Sequence, residues 1–196
     1  MKTKIKASWI IIAAIVVLGF MSISSYNGMV KLDQGVKGQW AKVESSYQRR
    51  ADLIPNLVNT VKGYAEHEKG VFTEITEARA SVGKITIDAN NLTPESLKEF
   101  QKAQAGLSGA LGKLLMVQER YPDLKANANF MELQAQLEGT ENRINTERNR
   151  FNDATKVFNN KILTFPNNIL AGLFGFDEKG YFEAAQGSEN APTVEF

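Results

Sequence analysis

The sequence predicts an all-α protein, with an N-terminal transmembrane helix followed by an antiparallel bundle of three long helices plus a short C-terminal helix. Two observations lead to this prediction. Residues 7–23 contain no charged side chain, as is typical of a membrane span. Two later stretches, 36–82 and 130–165, repeat apolar side chains at alternating steps of three and four, the spacing of helices that pack on other helices.

The N-terminal segment has the composition of an uncleaved signal-anchor. Three lysines in residues 1–6 precede the apolar run from Ala7 to Ile23, and Trp9 and Tyr26 stand where interfacial aromatic residues belong. A cleaved signal peptide is the alternative, because Ser22-Ile23-Ser24 is a passable cleavage site, but the apolar run is long for one. The lysines predict a cytoplasmic N-terminus and a helical domain outside the cytoplasm, periplasmic or extracellular.

Composition excludes several kinds of site. Lys and Arg total 23 and Asp and Glu 22, so no strong positive field exists to attract nucleic acid, and we expect no nucleic-acid partner. The chain has no cysteine, which excludes disulfides, Cys-ligated zinc and a thiol nucleophile. His67 is the one histidine, so a His-based metal cage is excluded as well. We therefore expect no cofactor and no metal site.

The first bundle helix is predicted to run from Val36 to Val82. Its stripe is apolar, aromatic or Ala except at Arg50 and Glu68. Pro55 lies inside the pattern, removes one backbone hydrogen bond and crowds the carbonyl of Ala51. A kink and a break are both open there, and the unbroken spacing favours a kink. The stripe comprises Val36, Trp40, Val43, Tyr47, Arg50, Ile54, Leu57, Val61, Tyr64, Glu68, Val71, Ile75, Ala78 and Val82.

Two further long helices follow. Thr93-Pro94-Glu95 predicts a helix start, with Thr93 as N-cap and a helix to Glu119. Asp123 or Asn127 caps the next helix, whose stripe from Phe130 to Phe165 ends at Pro166. A short apolar helix at 169–174 is expected on the end of the bundle. The predicted domains are 1–26 (cytoplasmic tip and anchor), 27–185 (helical bundle) and 186–196 (a polar, disordered tail).

Small residues recur on the second long helix. Gly106, Gly109 and Gly112 are spaced by three residues. A ligand groove is one reading of this spacing. Small residues that allow close approach of two helix backbones are the simpler reading, and we prefer it.

The polar residues within the stripes allow two interpretations. A buried network that fixes helix register is the preferred one, and its candidate members are Arg50, Asp52, Glu68, Glu138, Glu141 and Arg143. If the three long helices alternate in direction, residues 138–143 lie beside residue 68, and Glu68 meets Arg143 inside the bundle. The alternative is a hydrolytic site in which Asp52, Glu138 and Glu141 act as paired acids.

The same counting leaves residues 32–52 without a partner helix. Val36, Trp40, Val43 and Tyr47 then form an apolar stalk near the membrane, and such a stripe invites association. Either the aromatic C-terminal segment around Phe176 and Tyr181-Phe182 folds back over the stalk, or two copies of the protein pair there. The two alternatives remain equally open, so these four residues are a candidate partner or self-association surface.

The chain resembles the LemA family of bacterial membrane-anchored proteins over roughly residues 20–182. The resemblance lies in Tyr26-Asn27, Gln39-Trp40, YQRRADLIPNLV (47–58), Gly63-Tyr64-Ala65, His67-Glu68, Ala78-Arg79, YPDLKAN (121–127), Phe130, Leu133-Gln134, EGTENRI (138–144), Arg148, Phe151-Asn152, Phe165-Pro166 and Gly175-Phe176.

The resemblance implies a transmembrane helix followed by an antiparallel helical bundle, and no established catalytic activity or catalytic residues. Genes of this family often lie beside those of membrane metallopeptidases, which points to a protein partner. We therefore expect a scaffold or interaction protein at the bacterial inner membrane, bound to the lipid bilayer and to an envelope protein. An accessory subunit of a membrane peptidase is the alternative, and an enzyme using the Arg/Asp/Glu cluster is a distant one.

Overall fold

The structure is a computed structural model that describes the backbone of residues 7–184 and the side chains from Ser8 onward. Every regular element in that range is helical, which confirms the all-α class and the long apolar N-terminal helix. The predicted tail 186–196 and the first lysines lie outside the described residues. The helices are α1 (Ala7–Lys62), α2 (Lys69–Gly83), α3 (Pro94–Met116), α4 (Pro122–Lys125), α5 (Ala128–Leu163) and α6 (Asn167–Phe174), with a 3₁₀ turn at Val117–Arg120.

Helix α1 joins the apolar N-terminal run directly to the bundle. It has 56 residues, which corresponds to about 84 Å of helix. The helix does not break at Pro55. The carbonyl of Ala51 lacks a helical donor because Pro55 has no N–H, and the Nε of Arg79 donates to that carbonyl at 3.3 Å. A side chain from α2 thus replaces the hydrogen bond that the proline removes.

The predicted continuous helix from Val36 to Val82 is wrong at residues 63–68. Helix α1 ends at Lys62, and the amides of Tyr64 and Ala65 both donate to the carbonyl of Val61 in a tight turn. Gly63 weakens the helix at this point, and the buried Ala65 seats the turn on the core. The apolar spacing continues past the turn because α2 has the same steps of three and four residues. Such spacing does not indicate in which direction a helix runs.

The turn reverses the direction of the elements that follow. Helix α2 returns along α1, so that Arg79 reaches Ala51. Helix α3 then runs parallel to α1, with Phe100 beside Trp40 and Ser108 beside Arg50. Helix α5 is antiparallel to α1 and makes the most extensive contact with it. The bundle therefore has an additional short helix, and α3 does not alternate with α1 as predicted.

The predicted helix starts are confirmed. The hydroxyl of Thr93 accepts a hydrogen bond from the amide of Ser96 at 3.2 Å, with Pro94 in the first turn. The side chain of Asn127 accepts one from the amide of Phe130 at 2.9 Å. Each cap satisfies an amide that the first helical turn leaves without a backbone partner.

The close-approach interpretation of the α3 glycines is wrong. A Cβ atom built at Gly106, Gly109 or Gly112 would meet nothing within 4 Å, so no helix within residues 7–184 packs against them. The close approach occurs instead at Gly180, where a Cβ would lie 2.7 Å from the Cα of Pro94. The amide of Gly180 also donates to the carbonyl of Leu92 at 2.9 Å. The C-terminal segment is therefore packed tightly on the loop before α3.

Replacing Pro55 and Arg79 singly and together tests the substitute hydrogen bond. We expect Arg79→Met to lower the free energy of unfolding by about 1 kcal/mol in the natural background. The loss should be close to zero in a Pro55→Ala background, where residue 55 supplies its own amide to Ala51. Urea unfolding of the four proteins in detergent measures this coupling. Arg49→Met is the matched control for loss of an exposed arginine, and an equal loss from Arg79→Met in both backgrounds would contradict the compensation.

Candidate functional site

Arg50 is the best-defined polar feature of the bundle. Its side chain is 3% exposed, yet it carries a full positive charge. One guanidinium nitrogen donates to Glu141 and to Ser108, both at 2.9 Å, and the other donates to the side chain of Gln104. The guanidinium also lies 5.0 Å from the ring centroid of Tyr47. We call Arg50, Gln104, Ser108 and Glu141 the Arg50 layer.

The Arg50 layer separates two apolar cores. On α1 it lies between Tyr47, which belongs to the core nearer the apolar N-terminal run, and Ile54, which belongs to the distal core. The same division recurs on α3 between Phe100 and Leu107, and on α5 between Ile144 and Leu137. At this height Arg50 of α1 is therefore met by two polar side chains from α3 and one from α5.

The structure separates the other predicted members of the network. Asp52 is exposed and accepts a hydrogen bond from Gln48 at 2.8 Å. Glu138 and Arg143 are both exposed on α5. Of the six predicted residues, only Arg50 and Glu141 lie in contact with each other.

The predicted pairing of Glu68 with Arg143 is wrong. Glu68 lies in the turn before α2, where it binds Arg120 at 3.0 Å and the hydroxyl of Tyr121 at 3.2 Å. The prediction placed residue 138 beside residue 68 because it assumed that α1 continues past residue 62. With the turn at residues 63–68, the segment of α5 around Glu141 lies instead beside Arg50.

The acids that a hydrolytic site would need do not converge. Glu141 is held by Arg50, whereas Asp52 and Glu138 lie on exposed helix surfaces away from a shared cleft. Within residues 7–184, no three His, Asp or Glu side chains are grouped as metal ligands would be. The open groove beside the layer, between α1, α2 and α3, mixes Glu44 and Arg79 with the ring of Phe100.

The predicted exposed stalk is wrong, because Val36, Trp40, Val43 and Tyr47 are all buried in the core. Three elements cover them. Helix α5 places its Phe151 ring 5.8 Å from that of Trp40, and α3 places its Phe100 ring 5.4 Å from it. The third is the C-terminal strap, which we define as residues 175–184, and whose Phe182 ring stacks on Trp40 at 6.1 Å. Of the two alternatives for covering the stripe, the fold-back of the C-terminal segment is the one found.

Three side-chain amides hold the strap by pairing with its backbone. Asn159 donates to the carbonyl of Lys179 at 2.8 Å and accepts from its amide at 3.0 Å. Asn152 does the same with Phe182, at 2.9 Å for both bonds. Gln101 pairs with Glu183 in the same way, at 3.0 and 3.3 Å. Each amide thus satisfies both polar groups of one strap residue, as a neighbouring β-strand would.

A buried ion pair also holds the strap. The Nζ of Lys179 lies 2.8 Å from Asp33 on α1, and Lys37 binds the second oxygen of Asp33 at 2.7 Å. The ammonium of Lys179 also lies 5.1 Å from the ring centroid of Phe158. Burial of Asp33 raises the pKa of its carboxyl, but the hydrogen bonds and positive charges of Lys179 and Lys37 lower it by more, so that pKa lies below its ordinary value.

Sequence reasoning missed most of these polar residues. Gln104, Ser108, Asp33, Lys179, Gln101 and Asn159 were not predicted, and Asn152 appeared only as part of the family resemblance. One signal was available on α3. Gln104 lies between the buried positions Phe100 and Leu107 at helical spacing, which places a polar side chain on an apolar stripe. The strap contacts have no comparable period, because the strap is not a helix.

The first part of α1 is apolar and uncovered. Its most apolar stretch has a mean hydropathy of 2.1, and none of that stretch is buried inside the protein. Trp9, Ile15 and Phe20 are each more than half exposed. A helix of this length and composition is compatible with a bilayer anchor.

The Arg50 layer predicts unequal effects of removing its two charged members. We expect Arg50→Ala to lower the free energy of unfolding by about 3–5 kcal/mol, because Gln104 then loses its buried partner. Glu141→Gln should lower it by at most about 1 kcal/mol, because the Glu141 side chain is 47% exposed. Urea unfolding measures both, and losses of equal size would contradict the assignment of Arg50 as the buried centre of the layer.

The strap ion pair predicts a pH-dependent stability. Because the folded-state pKa of Asp33 is lowered, its contribution is complete above its unfolded pKa of about 3.9 and is lost as the pH falls through the folded value. We expect Asp33→Asn to destabilise the protein by about 3 kcal/mol at neutral pH and much less in strong acid. Urea unfolding at several pH values measures this difference. Asp52→Asn is the exposed control, and an Asp33→Asn effect independent of pH would contradict the prediction.

Comparison with known proteins gives the family. The model of the LemA family matches residues 39–196. Relatives include the magnetosome proteins MamQ 1 and MamQ 2 of Paramagnetospirillum magneticum, each 25% identical over 196 residues, covering 88% of this chain and 71% of the relative. The protein LemA of Metamycoplasma hominis is 22% identical over 125 residues, covering 64% of this chain and 53% of the relative. The family match spans well over half of the sequence, and this chain therefore belongs to the LemA family.

Proposed function

We propose that the protein is a membrane-anchored helical scaffold of the bacterial envelope, which holds a protein partner at the bilayer and catalyses no reaction itself. One observation carries the proposal. Helix α1 continues without interruption from the uncovered apolar run into the core, where Met29 and Val36 are 0% exposed. A partner bound to the bundle is therefore fixed at a set distance from the anchor.

The side chains available for chemistry support a non-catalytic role. Arg50 and Glu141 bind each other, and Asp33 is neutralised by Lys179 and Lys37. A catalytic acid or base needs access to a substrate and a perturbed pKa suited to its task. In this bundle the Arg50–Glu141 pair instead joins α1 to α5, and the Asp33–Lys179 pair joins α1 to the strap.

The proposed location is the inner membrane, with a cytoplasmic N-terminus and the bundle outside the cytoplasm. The lysines that precede the apolar run support this orientation through the positive-inside bias. Pairing of two copies through Val36, Trp40, Val43 and Tyr47 is not part of the proposal, because these side chains are buried within one chain.

Photo-crosslinking in cells tests the scaffold. A photoreactive residue is placed at Glu77 on α2, Lys102 on α3 or Asn145 on α5, which are exposed on three helices. Leu57, which is 0% exposed, is the buried control. We expect one face to capture one protein, and deletion of the scaffold to release that protein from the membrane fraction. Cysteines at the same positions report orientation, since the chain has none of its own.

Four outcomes count against the proposal. Absence of a product from every exposed position contradicts a protein partner. Unchanged membrane association of the captured protein after deletion contradicts the holding role. If the captured protein is a membrane peptidase whose purified activity changes when this protein is added, the accessory-subunit alternative replaces the scaffold. Thiol labelling of the bundle only after the inner membrane is permeabilised contradicts the proposed orientation.

A further inference from the structure

An apolar patch lies on the outer side of α6. Phe165, just before the helix, and Ile169 and Leu173 on it are spaced four residues apart and are 75%, 63% and 75% exposed. The opposite side of α6 is used differently, because Ala171 is 4% exposed and packs in the core. Large apolar side chains that remain exposed in a cluster mark a surface that contacts another protein or a membrane.

The position of α6 on α1 favours the membrane. Near one end of the helix, Asn167 contacts the hydroxyl of Ser25, and at the other end the ring of Phe174 lies 4.9 Å from that of Tyr26. Because both ends meet neighbouring residues of α1, α6 crosses α1 instead of running alongside it. A hydrocarbon core of about 30 Å takes about 20 helical residues, so a span that begins at Ala7 ends at residues 25–26.

The surrounding sequence suits a membrane surface. Residues 162–176 form an uncharged run bounded by Lys161 and Asp177. Phenylalanine and leucine, which make up much of the patch, are typical of the apolar face that an interfacial helix buries at the boundary of headgroups and acyl chains. The patch lies at the level where the proposed anchor leaves the bilayer. Lipid is therefore the apolar surface nearest to it.

We propose that residues 165–174 are a second membrane contact, with Phe165, Ile169 and Leu173 inserted into the leaflet from which α1 emerges. The bundle is thereby seated on the bilayer by its α6 end as well as held by the span. This inference rests on the membrane anchoring of the proposed function, and it adds a defined lipid-facing surface to it.

Depth-dependent fluorescence quenching tests the contact on the full chain. Single cysteines at Leu173, Ile15 and Thr73 carry an environment-sensitive fluorophore, and the protein is reconstituted in vesicles of phosphatidylethanolamine and phosphatidylglycerol. We expect the label at Leu173 to be blue-shifted and quenched by lipids with a nitroxide near the headgroup. Ile15, in the middle of the span, should be quenched by deep nitroxides, and Thr73, at the distal end of the bundle, by neither.

A charge-insertion variant separates the contact from the fold. Phe165→Glu with Ile169→Glu changes only exposed side chains, so urea unfolding should be unaltered while quenching of the Leu173 label falls severalfold. Met131→Glu, at an exposed apolar position far from α6, should leave the quenching unchanged.

The outcomes distinguish the two proposals. Quenching at Ile15 without quenching at Leu173 overturns the α6 contact and leaves the anchor. Loss of quenching at both positions overturns both. A Leu173 label that is shielded from lipid quenchers, and that crosslinks to a second copy of the chain, also overturns the lipid assignment in favour of a protein interface.

Discussion

The guanidinium of Arg50 lies where α1, α3 and α5 meet, and a charge buried there needs polar partners from the other two helices. Gln104 and Ser108 reach it from α3, and Glu141 reaches it from α5. A slip of one helical turn by either helix would take at least one of these polar partners away from a side chain that is 3% exposed, leaving a buried charge incompletely paired. That penalty is several kcal/mol, comparable to the net stability of an average domain. The apolar cores on both sides could tolerate such a slip far more easily.

The second constraint is the strap, which closes the half of the bundle nearer the apolar N-terminal run. Helices α1 and α5 alone would leave one side of Trp40 open, and Phe182 fills it. The strap has no regular secondary structure, so its backbone groups need partners from elsewhere. Asn159, Asn152 and Gln101 supply them. The strap is therefore held both by apolar packing of Phe182 and by amide side chains that satisfy its backbone.

Sequence reasoning predicted the helices well and their arrangement poorly. Periodicity correctly marked Val36, Trp40, Val43 and Tyr47 as an apolar stripe, since side-chain spacing follows directly from helix geometry. It did not indicate what covers the stripe, because that depends on where α1 ends. The turn at residues 63–68 is short and does not interrupt the apolar spacing. Because the turn was not predicted, the later helices were expected beside the wrong residues of α1. Arg50 and Glu141 were both predicted as members of a polar network. The ion pair, however, was predicted between Glu68 and Arg143 and not between Arg50 and Glu141.

The absence of a joint in α1 between the apolar run and the bundle has a mechanical consequence. Residues 27–62 extend about 54 Å from the end of the proposed span. Membrane helices tilt by about 20° on average, and the angle changes with bilayer thickness. A rigid rod of this length converts a 20° tilt into a sideways displacement of about 18 Å at its far end. With the apolar run placed in a bilayer, as proposed, a change in the tilt of that run would therefore move the distal surface of the bundle sideways, unless the proposed α6 contact holds the tilt fixed.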